Sequence, residues 1–359
     1  MAIPGKRKTK WPVAVLGATG AVGQMFVRLL ANHPWFEIAE LAASERSAGK
    51  KYGEVTRWLD GDPAPLSIQN RRIIACDPGV VSAPIVFSAL DAMVAGEVEP
   101  AFARAGKFVL SNAKNFRMDP DVPLVIPEVN GDHLALIDCQ RQHRGWRGAI
   151  VTNANCSATV AAVALAPLHQ RFGIKQLFLS TMQAVSGAGY PGVPSLDILS
   201  NVIPYIADEE PKLEREMLKL LGTYADGEVT SAAFKVSAHT NRVPVEHGHT
   251  ICMTIGFDDA PTPEDAIETM RSWKGLASTV GLPTRPVHPL VVTDAPDRPQ
   301  PKRDVDAGNG MTVTVGRVRR DAVLDLRMVA LGHNTVRGAA GGSVLNAELL
   351  ATTGALASA

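Results

Sequence analysis

The sequence predicts an α/β protein of two domains: an N-terminal doubly wound parallel sheet, then an α+β domain with a mixed, largely antiparallel sheet. The length of 359 residues is typical of two domains. Apolar strand patterns first alternate with helical patterns, as they do in parallel sheets. From Phe234 onward, strand patterns follow one another directly. We therefore expect domains at 1–152 and 153–333, the first completed by a C-terminal helix within 334–359.

Composition narrows the function classes. The chain is 46% hydrophobic and 20% charged, as expected of a globular enzyme. Its 36 basic and 36 acidic residues balance, so no net field favours nucleic acid or an anionic membrane surface. The four scattered cysteines fit a reducing cytoplasm and suggest neither a disulfide scaffold nor a metal site. The basic run 1–10 reads as a solvated tail, since it lacks a signal-peptide core, and no apolar run is long enough to span a membrane.

The first strand pattern covers 11–17 and leads into a glycine-rich turn and an amphipathic helix over roughly 22–32. The turn reads Gly17-Ala-Thr-Gly-Ala-Val-Gly23. Its three glycines allow a tight turn, close backbone approach to a pyrophosphate, and close packing of helix on strand. The anion would lie at the helix N-terminus. This predicts a Rossmann-like dinucleotide site formed by Gly17, Thr19, Gly20, Ala21, Val22 and Gly23.

The end of the second strand pattern, 37–43, indicates which dinucleotide binds. NAD sites usually carry a carboxylate there for the ribose 2′-hydroxyl. This chain continues instead with Ser44-Glu-Arg46-Ser47, and hydroxyls with a guanidinium suit a 2′-phosphate better. Ser44, Arg46 and Ser47 therefore predict NADP(H), with a merely solvated loop as the alternative.

Further strands and one helix continue the alternation, at 72–75, 85–90, 91–105 and 107–111. The last strand ends in Ser111-Asn-Ala-Lys-Asn-Phe-Arg117. Ligands bind beyond the carboxyl ends of such strands, and hydroxyl, amide and cationic groups together can cradle an oxyanion or a phosphate. Lys114 and Arg117 could equally be solvated surface residues.

Cys156 joins a strand over 149–152 to an Ala-rich helix over 157–172 that is apolar nearly all round. A thiol at a helix N-terminus faces unpaired N–H groups and the positive end of the dipole, both of which favour thiolate. The flanking Asn155 and Ser157 can cap this helix or donate to an oxyanion. Cys156 is therefore a candidate nucleophile, and the alternative is a small buried side chain.

The second domain offers a glycine-rich loop, an acidic helix over roughly 206–222, and an arginine with a histidine. The loop, Gln183-Ala-Val-Ser-Gly-Ala-Gly189, lets the backbone approach a ligand. Arg242 and His249 are expected in one strand–turn–strand unit. The predicted strands cover 175–182, 234–238, 242–245, 249–257, 290–293, 311–318 and 323–331, and a final helix at 334–350 should return to the nucleotide domain.

Together these segments resemble the aspartate-β-semialdehyde dehydrogenase family, and its archaeal and fungal branch in particular. The similarity runs through nearly the whole chain in the family's order. The matching segments are the Gly17–Gly23 turn, Ser111-Asn-Ala-Lys-Asn115, Asn155-Cys156-Ser, Gln183-Ala-Val-Ser-Gly-Ala-Gly189, Arg242-Val-Pro-Val-x-x-Gly-His249 and Asn334-Thr-Val-Arg-Gly-Ala-Ala-Gly.

The resemblance implies NADPH-dependent reductive dephosphorylation of L-aspartyl-4-phosphate to L-aspartate 4-semialdehyde through a cysteine thioester. This is a step in lysine, threonine and methionine biosynthesis. The implied catalytic residues are the nucleophile Cys156, the acid/base His249, and Asn155 and Gln183, which orient the acyl group.

The resemblance also implies the ligand contacts. Arg242 should hold the substrate α-carboxylate, and Glu209 should face its ammonium, with Glu210 as the alternative. The phosphate should be surrounded by Ser111, Asn112, Lys114 and Lys212. The cofactor should also contact Ser186, Gly187 and Asn334.

Two other functions stay open at this point. An acyl-CoA reductase, such as a malonyl-CoA reductase, could share the scaffold, although it would have less use for Glu209. A non-catalytic nucleotide-sensing protein would keep Cys156 only as a structural thiol. Whichever function is correct, we expect a homodimer or homotetramer, because helices over 194–221 and 262–275 would cover one face of the second sheet and leave the other for a second copy.

Overall fold

The computed structural model describes residues 9–59 and 61–358. Most of the expected basic tail, 1–8, lies outside the described residues, as does the last residue of the expected 334–359 segment. Across the described parts of the chain, no helix is both long and apolar enough to cross a membrane.

The elements follow one another in the order that the alternating patterns predict. The strands are β1 (Trp11–Leu16), β2 (Phe36–Ala43), β3 (Ile74–Ala75), β4 (Ile85–Ser88), β5 (Phe108–Ser111), β6 (Leu124–Val125), β7 (Ala149–Asn153), β8 (Ile174–Gln183), β9 (Thr223–Ala225), β10 (Glu228–Thr230), β11 (Lys235–Arg242), β12 (His249–Phe257), β13 (Leu290–Thr293), β14 (Val313–Arg320) and β15 (Leu326–Gly332). The helices are α1 (Ala21–Leu30), α2 (Tyr52–Val55), α3 (Leu66–Gln69), α4 (Ala92–Arg104), α5 (Pro127–Asn130), α6 (Leu136–Arg144), α7 (Cys156–Phe172), α8 (Ser195–Ile198), α9 (Glu209–Leu220), α10 (Pro263–Ser272), α11 (Pro301–Asp304) and α12 (Gly341–Thr352).

The first sheet has the strand order β3-β2-β1-β4-β5-β7-β6, and its strand pairs are parallel. Its central strands β4, β5 and β7 are buried at every position, as expected where helices cover both faces. The order reverses at β1, so the carboxyl ends of β1 and β4 flank the crevice where ligands bind in such sheets. The predicted doubly wound domain is confirmed.

The second sheet has the order β11-β8-β12-β15-β14-β13. The inner pairs β8–β12, β12–β15 and β14–β15 are antiparallel, whereas β8–β11 and β13–β14 are parallel. The prediction of a mixed, largely antiparallel sheet is therefore confirmed. One detail was wrong: 242–245 is not a separate strand, because β11 runs on to Arg242, and the chain then crosses the end of β8 to reach β12.

Helix α7 is the centre of the second core. Its residues from Ser157 to Leu168 are all buried, which explains its apolar, Ala-rich sequence. It packs against β12, β14 and β15 on one side and against α9 and α10. These helices lie on the sheet face that carries Leu177, Leu179 and Ile251. The opposite face leaves Phe178 and Cys252 exposed among the described residues.

The end of the chain returns to the first sheet. A π-helical turn, Val336–Ala340, leads into α12, which packs against β5 and β7. The buried Glu348 of α12 accepts hydrogen bonds from His33 Nε2 (2.7 Å) and from the backbone N–H of Thr284 (3.0 Å). It thereby ties α12 to the segments after α1 and before β13. The proposed domain limits at 152/153 and 333/334 stay predictions.

Candidate active site

Cys156 is the first residue of α7, three residues beyond the end of β7. Asn155 caps the helix: its side-chain oxygen accepts hydrogen bonds from the N–H groups of Ser157 (2.9 Å) and Ala158 (3.1 Å). The π-helical turn packs closely against the cysteine: a Cβ added to Gly338 would lie 2.6 Å from the Cys156 Cβ. Glycine at 338 is therefore required for this approach.

His249, at the start of β12, completes a cysteine–histidine pair. Its Nε2 lies 3.1 Å from the Cys156 sulfur. Its Nδ1 accepts a hydrogen bond from the backbone N–H of Ala184 (3.1 Å). Because Nδ1 must be unprotonated to accept that bond, the proton of the neutral ring is on Nε2 and points toward the sulfur.

The ionisation of this pair differs from the sequence-based expectation of a thiolate. Burial, followed by the charge of Glu209, raises the pKa of Cys156 to about 12. Burial, followed by the charges of Arg242 and His333, lowers the pKa of His249 to about 3. The N-terminus of α7 favours thiolate, but removal of the sulfur from water outweighs it. The pair therefore rests as neutral thiol and neutral imidazole, although Cys156 keeps some exposure.

Glu209, at the start of α9, lies inside this site. Its Oε1 accepts hydrogen bonds from Asn155 Nδ2 (2.8 Å) and Gln183 Nε2 (3.0 Å). Glu210 points elsewhere, because its carboxylate accepts the backbone N–H of Thr240 (3.0 Å). The structure thus brings Asn155, Gln183 and Glu209 together next to Cys156 and separates Glu210 from them.

Arg242, the last residue of β11, pairs in register with Gln183, the last residue of β8. Its Nη1 donates to the carbonyl of Ala184 (2.9 Å). Gly187 packs closely on it: a Cβ there would lie 2.9 Å from Arg242 Nη1 and 3.1 Å from His249 Cε1. Glycine at 187 therefore lets the loop backbone approach both side chains, since a larger residue would collide with them.

A cationic cavity of about 360 Å³ adjoins the site. Lys114, Arg117, Lys212 and Arg215 line it, with the carboxylates of Asp208 and Glu216. Lys114 Nζ lies 3.0 Å from Asp208, and Lys212 Nζ lies 3.5 Å from Glu209. The long Lys212 contact leaves its ammonium able to serve a bound anion.

Ser111 and Asn112 do not line this cavity. Ser111 is fully buried; its hydroxyl donates to Glu99 (2.8 Å) and accepts the N–H of Ala113 (3.1 Å). Asn112 Nδ2 donates to the carbonyl of Ser88 (3.2 Å), which links β4 to the loop after β5. Direct contact of either residue with a phosphate stays a prediction.

Glu216 is a residue of the site that the sequence reasoning missed. Its Oε2 accepts the backbone N–H of Asn155 (2.6 Å), and its Oε1 accepts Arg117 Nη1 (2.9 Å). One signal could have indicated it: Glu209 and Glu216 are seven positions apart and so share one face of α9. Arg117, whose role the sequence left open, is thereby held between the cysteine loop and the cavity.

The glycine turn after β1 has the shape that a dinucleotide requires. Gly17 has a φ of +69°, and a Cβ there would lie 2.6 Å from the Ala89 carbonyl oxygen. A Cβ on Gly23 would lie 2.2 Å from the Gly17 oxygen. Gly20 is the N-cap of α1 and has no side chain that could cap the helix. The N–H groups of the first turn are therefore left for a bound anion. The predicted residues Thr19, Ala21 and Val22 lie on this turn and at the start of α1.

Two further groups of predicted cofactor residues lie around this crevice. Ser186 Oγ accepts a hydrogen bond from Asn334 Nδ2 (2.8 Å), and Asn334 Oδ1 accepts the N–H of Gly248 (2.9 Å). A cavity of about 350 Å³ extends from α1 to the loop that contains Ser186. Ser44 and Arg46 are exposed and Ser47 is partly exposed, just after β2, the strand that pairs with β1. Among the described residues, no three His, Cys, Asp or Glu side chains converge in the manner of metal ligands.

The fold and this site define a class of protein: a dinucleotide-binding α/β enzyme with a cysteine–histidine pair at the start of a buried helix. Two family models match the chain, "Semialdehyde dehydrogenase, NAD binding domain" over residues 12–137 and "Semialdehyde dehydrogenase, dimerisation domain" over residues 165–337. The chain belongs to the aspartate-semialdehyde dehydrogenase family.

Similarity to individual relatives extends along nearly the whole chain. An aspartate-semialdehyde dehydrogenase of Archaeoglobus fulgidus is 52% identical over 95% of this chain and 98% of its own length. The Schizosaccharomyces pombe protein of the same name is 47% identical over 95% and 98%. The crystal structure of the Candida albicans enzyme with NADP superimposes with a TM-score of 0.88 at 44% identity, covering 97% of this chain and 100% of that one. The predicted archaeal and fungal kinship is confirmed.

Proposed function

We propose that this protein is an NADPH-dependent aspartate-semialdehyde dehydrogenase, which converts L-aspartyl-4-phosphate to L-aspartate 4-semialdehyde and phosphate. The observation that carries the proposal is the presence of Arg242 and Glu209 beside the Cys156–His249 pair. A buried guanidinium and a buried carboxylate match the α-carboxylate and α-ammonium of an amino acid.

The same two charges argue against an acyl-CoA substrate. A malonyl group carries a carboxylate for Arg242 but no cation for Glu209, which would stay buried without a ligand partner. A site built for a polar group rejects a ligand that lacks it, because its own buried charge is left unpaired. The relatives named above also carry the semialdehyde dehydrogenase name.

The phosphate of the substrate fits the cationic cavity. Lys114, Lys212 and Arg117 all line it, and their positive charges suit phosphate oxygens. Lys212 contacts both the cavity and Glu209, so it lies between the expected phosphate and ammonium sites. Ser111 and Asn112 support the loop on which Lys114 stands.

The chemistry follows from the residues at the join of β7 and α7. Cys156, as thiolate, attacks the acyl carbon; a C–S bond forms, the C–O bond to phosphate breaks, and phosphate leaves with the electron pair. NADPH, when bound, supplies the hydride that reduces the thioester carbon. Asn155 and Gln183 orient the acyl group. The Nε2–H of His249 donates a hydrogen bond to the carbonyl oxygen and then to the sulfur as the C–S bond breaks and thiolate returns.

The residues present fit NADP(H). The open N-terminus of α1 suits the pyrophosphate, and Gly17, Gly20 and Gly23 allow its close approach. Ser44, Arg46 and Ser47 would hold the 2′-phosphate. Ser186, Gly187 and Asn334 would contact the cofactor on the side of the catalytic pair. The Candida albicans relative was solved with NADP.

The assembly we propose is a homodimer or homotetramer, formed through the exposed face of the second sheet. The match to a dimerisation-domain model supports oligomerisation. The domains we propose are 1–152 with 334–359, and 153–333. The reaction itself lies on the route from aspartate to lysine, threonine and methionine.

The test compares two acyl substrates with the purified protein. NADPH consumption is followed with L-aspartyl-4-phosphate and, separately, with malonyl-CoA. We expect turnover with the first and none above background with the second, and loss of turnover in Cys156→Ala with NADPH binding retained. Preference for malonyl-CoA, or full activity of Cys156→Ala, would overturn the proposal.

A further inference from the structure

Glu209 is a buried carboxylate placed next to the reactive thiol. Its Oε1 accepts two hydrogen bonds, both from neutral amides, those of Asn155 and Gln183. Asn155 immediately precedes Cys156, so the carboxylate is hydrogen-bonded to the residue next to the nucleophile. Its Oε2 faces only the distant Lys212 ammonium, at 3.5 Å, among the contacts of the described residues.

The other charges around Cys156 come from every element that packs there. Arg117, on the loop after β5, and Arg242, on β11, are positive and favour the thiolate. Glu216 on α9 forms a 2.9 Å ion pair with Arg117, and Arg337 on the π-helical turn forms a 2.7 Å pair with Glu128, whereas the ion pair of Glu209 with Lys212 is longer, at 3.5 Å. His249 on β12 is neutral, and His333 lies beyond it. Glu209 is therefore the anion that opposes the thiolate.

We propose that Glu209 makes the nucleophile dependent on the substrate's ammonium group. Before a substrate binds, its negative charge adds to the effect of burial and disfavours the thiolate of Cys156. When an amino-acid substrate binds, the ammonium neutralises Glu209, the S–H bond breaks, and the proton leaves to solvent because His249 Nε2 already carries one. The inference rests on the proposed function for the identity of the cation. It adds that binding of the substrate ammonium at Glu209 is coupled to formation of the Cys156 thiolate.

This arrangement has a consequence for selectivity. An acyl phosphate without the α-ammonium could still occupy Arg242 and the cationic cavity, yet it would meet a thiol rather than a thiolate. Its penalty should therefore appear in kcat as well as in KM. The pKa of Cys156, which Glu209 raises after burial itself, agrees in direction.

The first experiment measures thiolate content without any substrate. The rate of alkylation of Cys156 by iodoacetamide is measured at neutral pH and quantified on the Cys156 peptide by mass spectrometry, since Cys252 is exposed and will also react. Glu209→Gln keeps the shape and the two amide contacts but removes the charge. We expect at least about tenfold faster alkylation, the change in thiolate for each pKa unit lost.

Glu210→Gln is the matched control. It lies one position along α9, and its carboxylate contacts the Thr240 N–H instead of the site. It should alkylate at the wild-type rate. Equal rates in Glu209→Gln, Glu210→Gln and wild type would overturn the proposal, as would equal acceleration in both variants.

The second experiment tests the ammonium itself with two unreactive ligands, L-2-aminobutyrate and butyrate, in the wild type and in Glu209→Gln. Both carry a carboxylate for Arg242, but only the first carries an ammonium. We expect aminobutyrate to accelerate wild-type alkylation relative to butyrate, and the two ligands to act alike in Glu209→Gln; shielding of the sulfur by the ligand is common to both proteins and cancels. No difference between the ligands in the wild type overturns the proposal.

These measurements separate the inference from the proposed function. Alkylation does not depend on which acyl compound is turned over. If malonyl-CoA proves to be the substrate while aminobutyrate still activates the thiol through Glu209, the function fails and the coupling stands. If aspartyl phosphate is the substrate and Glu209→Gln leaves alkylation unchanged, the coupling alone fails.

Discussion

At the scale of single residues, one backbone contact decides what His249 can do. The Ala184 N–H occupies Nδ1, so the neutral ring can donate from Nε2 to the sulfur but cannot take the thiol proton there. A neutral histidine fixed in this way serves as a hydrogen-bond donor more readily than as the base that first activates Cys156. Thiolate formation must then depend on the charges around the thiol, and we propose that Glu209 is the charge that the substrate changes.

His249→Asn tests whether His249 also transfers a proton in the reaction, beyond donating a hydrogen bond. Asparagine keeps a hydrogen-bonding side chain of similar shape but cannot exchange a proton near neutral pH. We expect kcat to fall by roughly 10²–10⁴-fold, the usual contribution of a positioned acid/base, with a smaller change in KM. Steady-state kinetics across neutral pH provide the measurement, and His143→Asn, at an exposed position on α6, is the control. A near-normal kcat in His249→Asn would contradict the assignment.

Arg46 tests the cofactor prediction. If its guanidinium binds the 2′-phosphate, Arg46→Ala should weaken NADPH binding by about 1.5–3 kcal/mol, the range for a hydrogen bond to a charged group. Binding of NADH, which lacks that phosphate, should hardly change. Fluorescence titration with both nucleotides in both proteins gives the comparison. Equal losses of binding affinity for NADPH and NADH would show that Arg46 does not bind the 2′-phosphate.

The sequence identifies Cys156, Arg242 and His249 as candidates because each combines a reactive group with a local signal, such as a helix start, a strand end or a glycine loop. It misses Glu216 and misjudges the ionisation of Cys156 for one common reason. Both depend on α9 lying against the β7–α7 join, a contact between segments about sixty residues apart (for Asn155 and Glu216, |i−j| is 61). No local pattern encodes the desolvation that this packing causes.

At the scale of elements, α4 and β5 enclose a carboxyl group with an unusual proton affinity. Burial raises the pKa of Glu99 to about 7, against the hydrogen bond from Ser111 that lowers it. Because the folded-state pKa is above the unfolded value of 4.5, stabilisation by this group is complete below that pH. It is lost as the pH rises through about 7. In alkaline solution the wild type therefore buries an ionised carboxylate, which lowers its free energy of unfolding.

Glu99→Gln should remove this cost. The amide oxygen can still accept the Ser111 hydroxyl, and no charge remains to be buried. At about pH 8 we expect the free energy of unfolding to exceed that of the wild type by up to about 3 kcal/mol, with the difference vanishing at low pH. Urea unfolding at several pH values measures it. Glu97→Gln, exposed on the same helix, is the control, and a gain that does not depend on pH would contradict the explanation.

The wrong 242–245 strand has a similar origin at this scale. Arg242-Val-Pro-Val245 carries the apolar residues of a strand, but β11 bonds to β8 in parallel and stops level with Gln183. The chain must then turn over the end of β8 to begin β12, and Val245 turns back on Val243 with a hydrogen bond of 2.8 Å. The pairing of β11 with β8, which are far apart in sequence, depends on the whole sheet and cannot be predicted from residues 242–245 alone.

At the scale of the whole molecule, the architecture was predictable because the first domain repeats a strand–helix alternation that has few solutions. The glycine turn fixes where that domain binds its ligand. How the second domain meets it was less predictable, since the contacts involve Asn334, Ser186 and the buried Arg337–Glu128 pair, whose members are far apart in sequence. Those contacts bring the catalytic pair to the crevice.

One face of the second sheet still needs a partner. Phe178, Thr254 and Arg327 lie side by side across β8, β12 and β15, and Ser180, Cys252 and Val329 form the next row. Helices α7, α9 and α10 pack on the other face, and Phe178 is 51% exposed. An exposed aromatic at the centre of a sheet face is typical of a surface that pairs with its own copy across a two-fold axis.

Phe178→Lys should therefore dissociate the assembly. It removes the aromatic ring and adds a cation in the row of Arg327, so two copies facing each other would bring like charges together in a desolvated interface. We expect light scattering at micromolar concentration to give a dimer or tetramer for the wild type and a smaller species for the variant. Met93→Lys, 95% exposed on α4 of the first domain, introduces the same charge away from this face and should leave the mass unchanged. A monomeric wild type, or a Phe178→Lys protein of unchanged mass, would show that this face is not where the copies meet.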